Sequence, residues 1–366
     1  MKGKRRFDYI LLFVVLALAG IGIVMVYSTS AILAGDRFQD PYYFLKRQAL
    51  YAGVGFILMM LMMFFPYQAL KRVAYPILIF SILLLIAVLI PGIGHRAGGA
   101  MRWLKVSTFS FQPSELSKLG LIIFLAYFLT KKEEKIRSFS FSFLPTVLLS
   151  GLVVALVLKE PDFGAAIFLT AMVFFLLFIS GARVIYIAGA FLLAIPVAYY
   201  FLTNVAYRYR RLLAFIRPWE DPTGTSFQIV QSFISFGSGG LFGLGLGEGR
   251  QKLFFLPAPH TDFIFSVIGE ELGLVGTLGV MLLFFIFALR GLQIALSLED
   301  RFGTYLALGV TLMISLQAVI NMGVVLGLLP TKGLTIPFIS YGGTSLIVNL
   351  VGVGMLLHLS NCAERK

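Results

Sequence analysis

YILLFVVLALAGIGIVMVYSTSAILA, residues 9–34, runs for 26 residues without a charged side chain. A helix needs about 20 apolar residues to cross the hydrocarbon core of a bilayer, so this stretch reads as a membrane span. MKGKRR precedes it, as in a signal peptide, but the apolar run is too long for a signal-peptide core. No convincing small-residue cleavage site follows it either, so the segment is expected to remain as the first transmembrane helix. Comparable runs recur along almost the whole chain. They predict ten spans, at about 8–30, 48–66, 73–91, 114–131, 140–158, 162–180, 183–203, 263–290, 303–328 and 338–360. The expected fold is an all-α polytopic membrane protein forming one domain over residues 1–366, with a long loop at 204–262 between spans 7 and 8.

Composition agrees. Of the 366 residues 59% are hydrophobic and 13% charged, whereas a soluble domain carries about 25% charged residues. A single cysteine, Cys362, excludes an internal disulfide framework and a cysteine-based metal site. Three scattered histidines argue against a zinc centre, and nothing points to nucleic acid.

Orientation follows from the distribution of the 30 basic residues. With the N-terminus in the cytoplasm, Lys2, Lys4, Arg5, Arg6, Lys71, Arg72, Lys131, Lys132, Lys135 and Arg137 lie inside, with Arg183, Arg290, Arg301, Arg365 and Lys366; the other 15 lie outside. The raw count is a tie. It is broken by the basic start of the first helix, by the weight of short loops, and by the length of 204–262, which escapes the rule. Both termini are therefore expected in the cytoplasm. The outer basic residues, among them Arg96, Arg102, Lys105, Arg208, Arg210, Arg211, Arg217, Arg250 and Lys252, suit an anionic, phosphate-bearing substrate. Attraction to lipid headgroups is the plainer alternative.

The chemistry concentrates in LPAPHTDFIFSVIGEELG, residues 256–273. His260 and Asp262 stand where a polar loop enters an apolar helix, with Glu270 and Glu271 two turns further in. A charge at bilayer depth costs about 3 kcal/mol or more, which marks such residues as functional candidates. Asp262 is the candidate catalytic base, poised to take a proton from a hydroxyl. It could equally be a plain helix cap. Glu270, about 80° round the helix and roughly 12 Å deeper, suits a structural or coupling role. Upstream, YRYRRLLAFIRPW (207–219) has the spacing of an interfacial helix, and TSFQIVQSFISFGSGG (225–240) that of an amphipathic or re-entrant piece. The glycines of GLFGLGLGEGRQK (240–252) suit a close backbone approach to a ligand or a tight turn, and Arg250 and Lys252, following at once, favour a polyanionic ligand nearby.

FQPSELSK (111–118) opens a helix with Glu115 and Lys118 on one face, where they can neutralise each other or let Lys118 reach a phosphate or Asp262. KEPDFG (159–164) reads as a tight outer turn. LLPTKGLTIPFISYGGTS (328–345), carrying Lys332 and Ser340, reads as broken helix and loop lining a cavity. Gln317 and Asn321, one turn apart, suit interhelical hydrogen bonds.

Together, MRWLKV, FQPSELSK, KEPDFG, the 237–273 block and LPTKGLTIPFISYGGTSL resemble the SEDS family of bacterial cell-wall polymerases (shape, elongation, division and sporulation) over most of the chain. The division branch is the closer match, the elongation branch the alternative. The resemblance implies a peptidoglycan glycosyltransferase in the cytoplasmic (inner) membrane that polymerises lipid II at the outer face. Asp262 matches the family's essential aspartate. It would deprotonate the acceptor's GlcNAc 4-hydroxyl for an inverting attack that expels undecaprenyl pyrophosphate. Arg208, Arg210, Arg250, Lys252, Lys105 and Trp103 are carried as candidate contacts to pyrophosphate or lipid II. Glu115, Lys118, Glu270, Glu271, His260, Lys332 and Ser340 are carried as supporting residues. A divalent cation, magnesium or manganese, is a candidate cofactor. The implied partners are a class B penicillin-binding protein, other membrane proteins of the division machinery, and membrane lipids. The rival readings are a flippase for lipid II or another anionic lipid, and a scaffold for the transpeptidase. The gathering of charged motifs on the outer side favours the enzyme.

Overall fold

The computed structural model describes residues 7–363, with 98–99, 107–108, 204–205, 253–255, 257–258 and 332 outside the described residues. The chain begins with α1 (Tyr9–Phe38), α2 (Tyr43–Phe64) and α3 (Tyr67–Leu89). Three short strands follow: β1 (Gly94–Ala97), β2 (Ala100–Val106) and β3 (Phe109–Phe111). Next come α4 (Pro113–Lys131), α5 (Leu144–Lys159, led in by a π turn over Phe139–Phe143), α6 (Phe163–Ile179) and α7 (Val184–Thr203). The long connection holds α8 (Ala206–Ile216) and α9 (Phe227–Gly239), and the chain closes with α10 (Ile264–Leu296), α11 (Arg301–Val325) and α12 (Gly343–Cys362).

Eight of these helices, α1–α5 and α10–α12, are long and apolar enough to cross a membrane; α6 and the Val184–Pro196 part of α7 are shorter apolar helices at the expected positions of spans 6 and 7. Helix α1 has 30 residues, about 45 Å, and so outruns a hydrocarbon core of about 30 Å. The connector expected over 31–47 thereby shrinks to a turn before α2. Its start is fixed by Asp8, which caps the helix by accepting from Leu11 N at 2.9 Å.

Expecting only helices was wrong at one place. β1, β2 and β3 form an antiparallel sheet in the order β1-β2-β3, across the segment taken for a plain connector. The strand residues, AMRWLKV and FSF, include β-formers such as Trp103, Val106 and the phenylalanines. They are too short to span a bilayer, so their backbone groups pair locally instead. The sheet packs over α3, α4 and α12.

Helix α4 is the centre of the bundle: 83% of its apolar window is buried, against 22% for α2 and 28% for α3, which face lipid. α11 and α12 are also mostly buried. One end of the bundle is tied by polar contacts between elements far apart in sequence. Arg290 Nη2 meets Asp8 Oδ2 at 2.6 Å, Lys71 meets Asp300 at 3.1 Å and Arg301 meets Glu133 at 3.0 Å. Asp8 N donates to Ser360 Oγ at 3.2 Å, so the start of α1 and the end of α12 meet at this end.

Helix α10 is broken. Gly273 has φ 66° and ψ −162°, which separates a short piece, 264–272, from the long span that follows. The backbone groups freed by the break are taken by the glycine-rich loop after α9. Leu244 N donates to Glu270 O at 2.9 Å and Gly245 N to Glu271 O at 3.1 Å; Leu274 N donates to Gly240 O at 2.9 Å and Val275 N to Leu241 O at 3.1 Å. The approach is close enough that a methyl on Gly239 would strike the Gly269 carbonyl. A methyl on Gly273 would run into Gly243 N and the Leu241 carbonyl, in a conformation almost restricted to glycine. Gly273→Ala is expected to cost about 1–3 kcal/mol, read as a lower melting temperature in detergent. Gly279→Ala in the same helix, where the added methyl meets nothing within 4 Å, is expected to leave it unchanged.

Candidate functional site

Asp262 lies in the last turn of the loop before α10. The helix begins at Ile264 and its N-cap position falls on Phe263, which makes no side-chain cap bond. Capping therefore does not occupy the Asp262 carboxyl. Asp262 is partly buried. A methyl on Gly333 would stand 3.4 Å from its Oδ2, so the Gly333 backbone lies directly against the carboxyl. Burial raises the Asp262 carboxyl from the ordinary aspartate range to about 6, against the positive charges of Arg211 and Arg102; Asp162 pushes it up.

These neighbours come from three other elements: Arg102 from β2, Asp162 from the α5–α6 turn and Arg211 from α8. KEPDFG is thus more than the solvated turn it resembled. Asp162 caps α6, accepting from Ala165 N at 3.0 Å. Arg102 pins the turn to the sheet: Nε donates to Glu160 O at 3.2 Å, Nη2 to Pro161 O at 2.6 Å, and Nη1 stands 3.7 Å from Asp162 Oδ2. Glu160 is fully buried, neither carboxylate oxygen has a hydrogen-bond partner, and burial, reinforced by Asp162, raises it to about 8. Sequence reasoning counted Arg102 and Arg211 only among the outer cations. Their placement depends on a strand and a helix that meet through tertiary packing, which local spacing does not carry. Trp103 and Lys105 alternate with Arg102 along β2 and so project from its opposite face.

His260 is buried against Phe44 and Tyr341, with ring centroids 4.5 and 5.8 Å away. Burial, then the charge of Arg37, lowers it to about 4, so it is neutral at pH 7.

Glu270 and Glu271 hold the loop that heals the break in α10. Glu270 Oε1 accepts from Arg250 N at 2.8 Å, and its Oε2 from Gln251 N at 3.2 Å. Glu271 accepts from Ser28 Oγ at 2.7 Å, Gly247 N at 3.1 Å and Lys252 Nζ at 2.7 Å. Lys252 must be reassigned. Its ammonium is buried and also donates to Ser28 Oγ at 3.2 Å and Gly247 O at 2.5 Å, so all three protons are engaged and none is offered to a substrate phosphate. The side chains of Arg210 and Arg250 are exposed. Arg208 lies in α8 with its side chain outside the described residues, as is Lys332 altogether.

Lys118, at 1% exposure, sits between Glu115 Oε1 at 2.7 Å and Gln317 Oε1 at 2.8 Å, over the ring of Phe168. Its ammonium contacts are these rather than Asp262. Gln317 passes the contact on, donating to Thr335 O at 2.8 Å. Ser340 is buried in the same segment. No cluster of three or more His, Cys, Asp or Glu side chains able to hold a metal is found among the described residues.

A profile of the FtsW/RodA/SpoVE cell cycle protein family matches residues 9–365, so the chain belongs to this family of multi-pass membrane proteins. It is 49% identical to a probable peptidoglycan glycosyltransferase FtsW of Geobacter metallireducens, over 98% of this chain and 96% of that one. It is 41% identical to the stage V sporulation protein E of Bacillus subtilis, over 96% of each. Among solved structures, a chain from a study of how a peptidoglycan synthase complex coordinates polymerization and crosslinking superposes with a TM-score of 0.80 at 33% identity, covering 97% of both. The rod shape determining protein RodA of Thermus thermophilus gives 0.72 at 31% identity over 98% of both.

The Lys252–Glu271 pair yields a test. Lys252→Met leaves a buried carboxylate without its counter-charge and is expected to cost about 3–5 kcal/mol, measured as a fall in melting temperature. The double variant Lys252→Met/Glu271→Gln is expected to recover most of that loss.

Proposed function

We propose that this chain polymerises lipid II into glycan strands, for septal wall synthesis in cell division, with Asp262 as the base. Support comes first from Asp262 itself: a carboxyl free of the helix cap, flanked by arginines from two other elements, at the mouth of a broken helix. The names carried by its relatives point the same way. Asp262 takes the proton from the acceptor's 4-hydroxyl while that oxygen bonds to the donor's anomeric carbon. The bond from that carbon to the diphosphate breaks, with inversion, and the lipid diphosphate leaves. Arg211 and Arg102 place positive charge where the leaving diphosphate develops its own negative charge.

The ends of the bundle differ in the way this reaction needs. One end holds the start of α1, the end of α12 and the tying ion pairs; the other holds the sheet, α8, the glycine loop and Asp262. In our reading ten spans cross the membrane, both termini face the cytoplasm, and the Asp262 end faces outward. A flippase would need comparable charged groups at both faces. A crosslinking partner, a class B penicillin-binding protein, fits a polymerase whose solved relative comes from a synthase complex.

The test is polymerisation of labelled lipid II by the purified protein with its transpeptidase. Asp262→Ala is expected to lose about 10²–10⁴-fold in rate; a folded wild type that makes no glycan, or an equal rate in the variant, refutes the reading. The pH dependence follows from the raised carboxyl. Asp262 works only when ionised, so kcat/KM is expected to fall as pH drops through about 6. Arg211→Gln removes a charge that favours ionisation and is expected to move this acidic limb to higher pH.

A further inference from the structure

The loop that carries Asp262 is gripped at three successive backbone carbonyls. His260 O accepts from Tyr341 N at 2.8 Å, Thr261 O from Ser340 Oγ at 2.7 Å, and Asp262 O from Asn321 Nδ2 at 2.9 Å. Two of the three donors are side chains, and both are buried, Asn321 at 1% and Ser340 at 3% exposure. Neither is a simple filler. The Ser340 hydroxyl also accepts from Ile336 N at 2.9 Å, which fixes the direction of its proton toward Thr261 O. The Asn321 amide also donates to Leu334 O at 2.5 Å, so one nitrogen joins the Asp262 peptide to the segment that passes over the carboxyl. That segment is anchored in turn: Gln317, one turn before Asn321 on α11, holds Thr335 O and is itself held by Lys118.

We propose that Asn321 and Ser340 are positioning residues that set the direction of the Asp262 carboxyl, a proposal that rests on Asp262 being the base. Holding the carbonyls of 261 and 262 sets the peptide planes on both sides of the Asp262 α-carbon. The Cα–Cβ bond then has one direction, and only two side-chain torsions remain. Asn321 also keeps the 333–335 backbone against the carboxyl, which narrows those torsions. The buried Glu115–Lys118 pair thereby serves the site from a distance, as the foot of a chain running through Gln317 to the segment over Asp262. Displacement of a reacting group by about 1 Å can cost about 10²-fold in rate, so the effect of loosening this grip falls on the chemical step.

The experiment measures glycan synthesis from lipid II by the full chain with its transpeptidase, for wild type, Asn321→Leu, Ser340→Ala and Ser340→Thr. Asn321→Leu and Ser340→Ala are expected to lower kcat about 10–100-fold, with KM for lipid II within about twofold of wild type. The acidic limb of the pH profile should stay in place, because the surroundings of the carboxyl are unchanged. Ser340→Thr keeps the hydroxyl and is expected to restore most of the rate lost in Ser340→Ala. Should Asn321→Leu fail to fold, the alanine and threonine variants at 340 decide the matter alone. Rates equal to an active wild type overturn the proposal. So does a loss that lies in KM, or one that Ser340→Thr fails to restore. An inactive, folded wild type counts instead against Asp262 as the base of a polymerase.

Discussion

Every backbone amide and carbonyl inside a bilayer needs a partner from the protein, because hydrocarbon offers none. The break in α10 at Gly273 puts this requirement under most strain, and much of the outer half of the molecule answers it. The glycine-rich loop is drawn in to pair with residues 270–275, and its glycines are there because the two backbones meet without room for a side chain. Once the loop is in place, Glu270 and Glu271 turn inward to hold its amides, and Lys252 balances the charge of Glu271. The short piece 264–272 can then end at an angle of its own, with Asp262 at its mouth. A continuous helix would have left the loop without partners.

Charges in the interior are handled in two ways. Lys118 with Glu115, and Lys252 with Glu271, are matched pairs whose remaining donors are also satisfied. Such pairs add little net stability relative to apolar packing, but losing either member is costly, so they hold specific elements in register. Asp262 is treated differently. It has arginines within electrostatic reach yet is left partly desolvated, and its carboxyl is raised rather than lowered. The protein matches the charges that organise it and leaves one under-compensated where a proton has to move.

The apolar runs made the helices legible in the sequence, since a span of about 20 apolar residues has few other uses. Asp262 stood out for the same reason: a carboxylate at the edge of hydrocarbon is costly and rarely incidental. What escaped was whatever depends on two distant segments meeting. Lys252 looked like an outward cation because its sequence neighbours are polar, and only the fold shows Ser28 and Glu271 around it. Arg102 and Asp162 lie 60 residues apart on a strand and a turn that nothing local joins. The glycine string was read as a close approach to a ligand or a tight turn; the backbone it meets is that of α10. Gln317 and Asn321 were read as interhelical hydrogen bonds; Gln317 makes one, with Lys118 of α4, and both also donate to loop carbonyls, one of them that of Asp262.

Two carboxyls near the site have been driven apart by their surroundings, as acid–base sites require. Glu160, fully buried without a hydrogen-bond partner, is raised to about 8 and so mainly neutral at pH 7. Asp262, raised to about 6, is about nine-tenths ionised there. In the proposed reaction Asp262 is then the carboxyl mainly ionised, and so suited to act as the base, at neutral pH. The neutrality of Glu160 also matters for the phosphates. Arg102 is matched by Asp162 and Arg211 faces Asp262, so the ionised groups around the base come close to cancelling before any substrate binds. A diphosphate brings further negative charge, and Glu160, uncharged, adds nothing to the repulsion it meets. In the proposed reaction the exposed Arg210 and Arg250 would add to the positive charge that Arg102 and Arg211 supply.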